Sequence, residues 1–421
     1  MAARVEVTKK YARAYERASK KDKGKILDMV VEVTGWNRDH ARQQLRRRLR
    51  QAPGRAAATV VVIDRRKTRA KKYSYDAIKV LQFIWATSGG SCGKYLAPAM
   101  GDWLEALEAH GHLTAGEGRY SSSVREELLA MSPATIDRYL KPVRDKDPIR
   151  GKGTTKASTS LLRTSVTIRR AGEETGDDPG LFEVDTVAHC GPTLKGEFAR
   201  SVNFTDVNIG WVHTVAVRNN AAVHIKGACT QMLTGVPYLV TALDFDNGSE
   251  FMNHDLLDWS AEHKVFFTRG RPYMKNDQAT IESKNNHLVR RYGFYYRYDT
   301  PTELRVLNQL WPLVNDRLNF FTPTKKPTGY TTDSRGRRKR VYDKPTSPYR
   351  RLLASGILSA RQEAELGAYK ASLDPLHLAR EIDRLQQRLV TLAAEKTREL
   401  QQQINAEAAL PDITGIKTRT G

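Results

Sequence analysis

The chain has 421 residues, with 69 Lys and Arg against 47 Asp and Glu, and a formal net charge of +22. That length is too great for one ordinary core and predicts roughly two to four domains. The cationic surplus points to a polyanionic partner, and since no apolar run approaches transmembrane length, nucleic acid is expected and a membrane is not.

The opening Met-Ala-Ala-Arg-Val-Glu-Val-Thr-Lys-Lys lacks the apolar core of a secretory signal, so a reducing compartment is expected. Cys92, Cys190 and Cys229 are scattered and form no Cys-x-x-Cys, which indicates neither a disulfide framework nor a structural zinc site.

Residues 1–72 hold 22 Lys/Arg against 7 Asp/Glu. Ile26, Leu27, Val30, Val31 and Val33 mark one helix, Thr34-Gly35 a turn, and Trp36 to Leu49 a second helix, the pattern of a helix-turn-helix. Arg38, Arg42, Arg46 and Arg50 recur every four residues and form one stripe suited to DNA, the alternative being a solvated basic face. Pro53-Gly54 ends this pattern, and a basic run from Arg65 to Lys72 reads as an exposed arm.

Residues 73–144 predict a second helical region with helices around Ile78–Trp85, Leu96–Leu107 and Val124–Met131. A fourth helix is capped by Ser132 with Pro133 at its first position. It is a second helix-turn-helix candidate, with Arg138, Lys141 and Arg144 on its basic side; the alternative is packing within a helical bundle. Residues 145–178 are polar and basic and read as a flexible linker.

From residue 179 to 325 the text predicts strand (181–189), strand (198–207), strand (210–217), helix (222–233), strand (238–246), helix (254–263), strand (265–268) and helix (277–291). That is a mixed sheet flanked by helices. Asp185 sits inside the first strand, Asp246 ends the fourth at an Asn-Gly turn, and Glu282 lies on the last helix, 35 residues beyond Asp246. Three carboxylates form an oxygen-only cage of the kind preferred by Mg²⁺ or Mn²⁺.

With Glu183-Val-Asp-Thr-Val-Ala-His, Asp246-Asn-Gly-Ser-Glu-Phe and Lys275-Asn-Asp-Gln-Ala-Thr-Ile-Glu around them, these residues resemble the catalytic core of DDE transposases and retroviral integrases, bacterial insertion-sequence transposases in particular. The resemblance covers about residues 180–325 and implies a ribonuclease H-like fold. It also implies catalytic and metal-binding roles for Asp185, Asp246 and Glu282, two metal ions per site, double-stranded DNA as substrate, a homo-oligomer on DNA, and a place in the bacterial cytoplasm at the nucleoid. The zinc-binding module that precedes the core of retroviral integrases is missing from the pattern, so another front end must bind DNA. Glu183, Asp244, Glu250 and His189 are neighbours with expected structural roles, and Lys275, Asn276 and Lys284 are candidates for gripping DNA ends. Two other functions compete: a ribonuclease H-like nuclease, and a DNA-binding regulator with an idle core.

Pro301 to Phe321 reads as a helix packed through Leu304, Leu307, Leu310 and Leu318, kinked or split at Pro312. Residues 326–358 form a small basic β region, with a hairpin tip bearing Arg335, Arg337, Arg338, Lys339 and Arg340. In residues 359–421, Ile382, Leu385, Leu389 and Leu392 make a short seam. It reads as a coiled coil between copies or as a helix docked on its own domain.

Overall fold

A computed structural model describes residues 2–49, 72–145, 167–169, 178–245, 254–270, 286–332, 336 and 338–409. The chain forms two compact units, Met1–Lys72 and Tyr73–Gly421.

In the first unit, α1 (Ala2–Arg17), α2 (Lys20–Thr34) and α3 (Arg38–Leu49) enclose Ala12, Tyr15, Leu27, Val30, Ala41 and Leu45. The Ser19 hydroxyl caps α2 by accepting from the Asp22 N–H (3.2 Å). Gly35, at φ 67°, ends it in the left-handed conformation that glycine adopts without strain. The next helix begins at Arg38 and not at Trp36, because the Asn37 side chain accepts from the His40 N–H (2.8 Å) and so caps α3.

In the second unit, α4 (Tyr75–Thr87), α5 (Gly93–Ala109), α6 (Ser122–Leu129) and α7 (Pro133–Arg144) form a helical layer. Ser132 caps α7, accepting from the Thr135 N–H (3.3 Å), with Pro133 in the first turn. Helix α7 crosses α5 so closely that a Cβ on Gly93 would lie 2.1 Å from the Pro133 carbonyl oxygen. Gly93→Ala should therefore separate the two helices and lower stability by about 1–3 kcal/mol, measurable by urea denaturation; an unchanged midpoint would show that the crossing tolerates a methyl group.

Next come β1 (Thr167–Arg169), β2 (Leu181–Ala188), β3 (Arg200–Asp206), β4 (Val212–Val217), α8 (Ala222–Gly235), β5 (Ala242–Phe245), α9 (His254–Glu262) and β6 (Phe266–Gly270). The strands make one sheet in the order β1-β6-β5-β2-β3-β4. Strands β1, β6, β5 and β2 run parallel, while β3 and β4 are antiparallel additions. The expected mixed sheet with flanking helices is present. One part of the expected linker is corrected: the β-branched Thr167 and Ile168 belong to an edge strand, where parallel pairing with β6 fixes them. Residues 146–166 and 170–177 lie outside the described residues.

The alternation of side chains gives the sheet two distinct faces. Phe182, Val184, Val202, Phe204, Leu243 and Phe245 share one core with Ile225 and Cys229 of α8, Trp259 of α9 and the apolar residues of α4–α7. Val187, Val212 and Ala216, on the other face, pack beneath α10 (Pro301–Asp316). Pro312 does not split α10: the α-helix runs from Pro301 to Asp316 and then widens into a π-helical turn, Arg317–Phe321. Two asparagines hold that element to the sheet edge. Asn308 exchanges hydrogen bonds with the Ala216 backbone (2.8 Å each way), and Asn319 with Val212 (2.8 and 2.9 Å), so side-chain amides occupy edge groups that another strand could pair.

The chain ends in a two-stranded ribbon, β7 (Pro327–Thr332) and β8 (Arg338–Tyr342), followed by α11 (Pro348–Ser355), α12 (Ala360–Ser372) and α13 (Pro375–Ala409). Asp102 of α5, nearly buried, takes a bidentate pair from Arg350 of α11 (2.6 and 3.0 Å) and a weaker contact from Lys370 of α12 (3.5 Å). His112 similarly meets Asp374 at 2.9 Å. These pairs clamp the helical layer to the C-terminal helices. Of the two readings of the seam on α13, the structure shows the docked helix. Ile382, Leu385 and Leu389 are fully buried against Val306, Leu307, Leu310, Trp311 and Val314 of α10, whereas Leu392 is partly exposed at 38 %. The chain thus covers its own seam, and no copy is needed to do so.

Candidate active site

Strand β2 carries Glu183, Asp185 and Val187 towards the α10 face, because alternate residues share a face, and His189 follows the strand directly. The deepest row crosses four strands. Thr205 of β3, Glu183 of β2, Asp244 of β5 and Thr268 of β6 are successive register partners. Thr205, Glu183 and Asp244 are buried, and the Thr268 hydroxyl donates to Asp244 (2.7 Å). Asp244 is thus buried and held by a hydrogen bond from the neighbouring strand.

One row further along, Asp185 is half-buried, pairs in register with Asn203 of β3, and accepts from the Thr186 N–H at 2.7 Å. The β2–β5 ladder ends at Val184 opposite Phe245. In the sequence, Val184 is followed by Asp185 and Phe245 by Asp246. Asp246 itself, with Glu250, Lys275, Asn276, Glu282 and Lys284, lies outside the described residues. Among the described residues, no group of three His, Cys, Asp or Glu side chains could hold a metal ion.

The helix expected over residues 277–291 is described only from Asn286, where Asn286–Arg290 forms a π-helical turn. Leu288 and Val289 are buried in the same cluster as Val187, which puts this turn on the Asp185 face. Arg290 donates to the Ala188 carbonyl (3.1 Å) and lies over the Tyr295 ring (4.8 Å). Burial holds the Arg290 pKa below its usual value, while Tyr295, Cys190 and Asp185 nearby pull it upward. Sequence reasoning did not single out Arg290, since an arginine at the end of a basic helix resembles any solvated one.

His189 is buried, makes a 2.8 Å contact with the Ser201 hydroxyl through Nε2, and packs against the Tyr298 ring. Burial first, and the Arg290 charge second, push its pKa down to about 3. Burial alone takes His213 down to about 4. Both histidines are neutral in the fold at pH 7, and with folded values below the usual 6.5 their contribution is complete above that pH and is lost as pH falls. At pH 5 each should cost about 2 kcal/mol. Urea midpoints at pH 7 and pH 5, compared with those of His189→Gln, measure this; an acid loss of the same size in the variant would exclude His189 as a source.

Arg297 organises the loop after β2. Its buried guanidinium pairs with Asp299 (2.6 Å) and donates to the carbonyls of Cys190, Thr193, Lys195 and Glu197 (2.9–3.3 Å).

The candidate DNA-binding arginines differ in their surroundings. Arg38 pairs with Asp28 and also donates to the Gly24 carbonyl (3.2 Å), and Arg42 pairs with Asp39 (2.8 Å). Arg46 is exposed, and Arg50 lies outside the described residues. On α7, Arg138 and Lys141 are exposed opposite the buried Ile136 and Leu140, while Arg144 pairs with Asp137 (3.1 Å). No described helix is long and apolar enough to cross a membrane.

No protein-family model matches the chain. Among solved structures, the chain is similar to the catalytic core domain of BIV integrase, at 19 % identity and a TM-score of 0.29, over 42 % of this chain and 95 % of that one. The "Uncharacterized protein y4rM" of Sinorhizobium fredii is 34 % identical over 327 residues, which span 77 % of this chain and 88 % of the relative. At that identity and over that span, the chain belongs to the same family as y4rM of Sinorhizobium fredii.

Proposed function

We propose that this chain is a DDE transposase with an integrase-type core, which binds the ends of a mobile DNA element, cleaves them and joins them to target DNA. The observation that carries this reading is the parallel ladder between β2 and β5, whose last pair, Val184 and Phe245, immediately precedes Asp185 and Asp246 in the sequence. The Asn286–Arg290 turn on the Asp185 face supports it, since Glu282 precedes that turn by four residues.

Asp185 offers only oxygen donors and is partly open, which fits a hard divalent cation. Asp185, Asp246 and Glu282 would hold two Mg²⁺ or Mn²⁺ ions, which supply charge stabilisation to the attacking and leaving oxygens of a phosphodiester. Arg290 adds a fixed positive charge near Asp185 and so favours an approaching phosphate. The Arg46 face of α3 and the Arg138 and Lys141 face of α7 supply DNA contacts, with α2–α3 and α6–α7 as the helix-turn-helix elements. Joining two ends to one target needs two active sites, so the working form is a homo-oligomer on DNA.

Incubating the full chain with linear DNA carrying the ends of its own element tests the reading. In Mg²⁺, free 3′-hydroxyl ends and joined products are expected. Cleavage without joining would indicate a nuclease instead, and binding without cleavage in Mg²⁺ or Mn²⁺ a regulator.

A further inference from the structure

Strand β4 is an edge of the six-stranded sheet, and three asparagines stand along it. Asn308 and Asn319 each close a two-bond ring with the backbone, at Ala216 and Val212. Between them, Asn315 does not. Its amide nitrogen makes one long contact with the Thr214 carbonyl (3.5 Å), and its Oδ1 has no hydrogen-bond partner although the residue is only 8 % exposed. The reverse orientation of the amide would set two oxygens against each other, so the acceptor is the atom left over. A buried acceptor in that state is costly and calls for a donor.

Asn315 lines a cleft of about 750 Å³ bounded by the end of α8, β4, α10 and α12. Asp316, the next residue, lines it as well. Its carboxylate accepts from the Tyr369 hydroxyl of α12 (3.0 Å), and burial pushes its pKa up to about 6, so it is mostly ionised at pH 7. In a chain of formal net charge +22, no Lys or Arg among the described residues pairs with it. His213, on the cleft wall, supplies no charge either, because burial takes its pKa down to about 4. Trp211, Phe320 and Tyr369 complete the lining as a run of aromatic rings, with centroids 5.4 and 5.6 Å apart.

The cleft thus sets a carboxylate and an amide oxygen, both acceptors, beside flat apolar surface. The complement is a planar cation with several N–H donors and an apolar body. A guanidinium has that form and is weakly hydrated, whereas an ammonium is compact and holds its water more tightly. The volume lies within the range of about 300–1,000 Å³ typical of small-molecule sites.

We propose that this cleft binds a small organic cation with a guanidinium head, which donates to Asp316 and Asn315 and lays its body along Trp211 and Phe320. The inference is independent of the DNA-joining reading, since β3 separates β4 from the strand that carries Asp185.

The test titrates butylguanidinium into the full chain by calorimetry, with butylammonium and the uncharged butylurea as comparisons. Saturable binding of one butylguanidinium per chain is expected, weaker binding of butylammonium and none of butylurea. Asp316→Asn keeps the shape of the side chain and removes its charge, and should weaken binding by at least about tenfold. Thr234→Trp, at an exposed position on the cleft wall, should block binding with the carboxylate intact. Glu126→Gln, at an exposed carboxylate on α6, should leave affinity unchanged and so excludes general attraction to acidic groups. Bound ligand should also raise the urea midpoint of the unaltered chain, and not that of Thr234→Trp. No binding by the unaltered chain, equal affinity for butylurea, or unchanged affinity in both cleft variants would overturn the site. Tighter binding of butylammonium would overturn the guanidinium head. Self-association seen by sedimentation and abolished by Thr234→Trp would make the cleft a contact between copies and overturn the small cation as its occupant.

Discussion

Asp185→Ala should reduce metal-dependent cleavage and joining by at least about 10³-fold, since a metal ligand supplies several kcal/mol of transition-state stabilisation at about 1.4 kcal/mol per tenfold in rate. Binding of DNA ends should stay nearly intact, because in the proposed mechanism the carboxylate would hold metal and not bases. Asp246→Ala and Glu282→Ala should behave alike, whereas Glu250→Ala should do much less. Gel assays of end cleavage, run beside a binding assay, separate these effects. Near-normal cleavage by any one of the three would remove that residue from the site. The half-buried setting of Asp185 makes its variant interpretable, because deleting a partly open carboxylate leaves no large apolar cavity.

The second large effect is structural. Leu385 and Leu389 are fully buried between α13 and α10, so replacing both with Asp puts two carboxylates into a core that includes Leu307, Leu310 and Trp311. Each should cost about 3–5 kcal/mol, so the pair together reaches the about 5–15 kcal/mol that many domains possess in total and should abolish cooperative folding of the second unit. Leu392→Asp, at a partly exposed position one turn on, should change stability by less than about 1 kcal/mol. Urea unfolding followed by circular dichroism distinguishes them. A folded double variant that has lost only self-association would restore the seam as a contact between copies.

The two effects mark how far local pattern reaches. Strand β2 with Asp185, strand β5 ending before Asp246, and helices α8 and α9 are legible because alternation with period two and stripes with period 3.6 survive in the text. Ser132 and Pro133 announced α7 for the same local reason, a cap and a fixed φ. Legible too was the carboxylate spacing that resembles a DDE core.

Partners are another matter. The stripe Ile382, Leu385 and Leu389 reads identically whether a second copy or α10 covers it, because periodicity tells which face is apolar and is silent about what lies against it. Glu183 and Asp244 are each visible as carboxylates on strands, but their alignment with Thr205 and Thr268 in one row depends on register, which is set by the packing of the opposite sheet face. Thr167–Arg169 became a strand only because β6 offered a parallel edge, and three residues are too few for any pattern. Arg290 lies near Asp185 because Leu288 and Val289 are buried with Val187, so what separates this arginine from the many exposed ones is a tertiary contact.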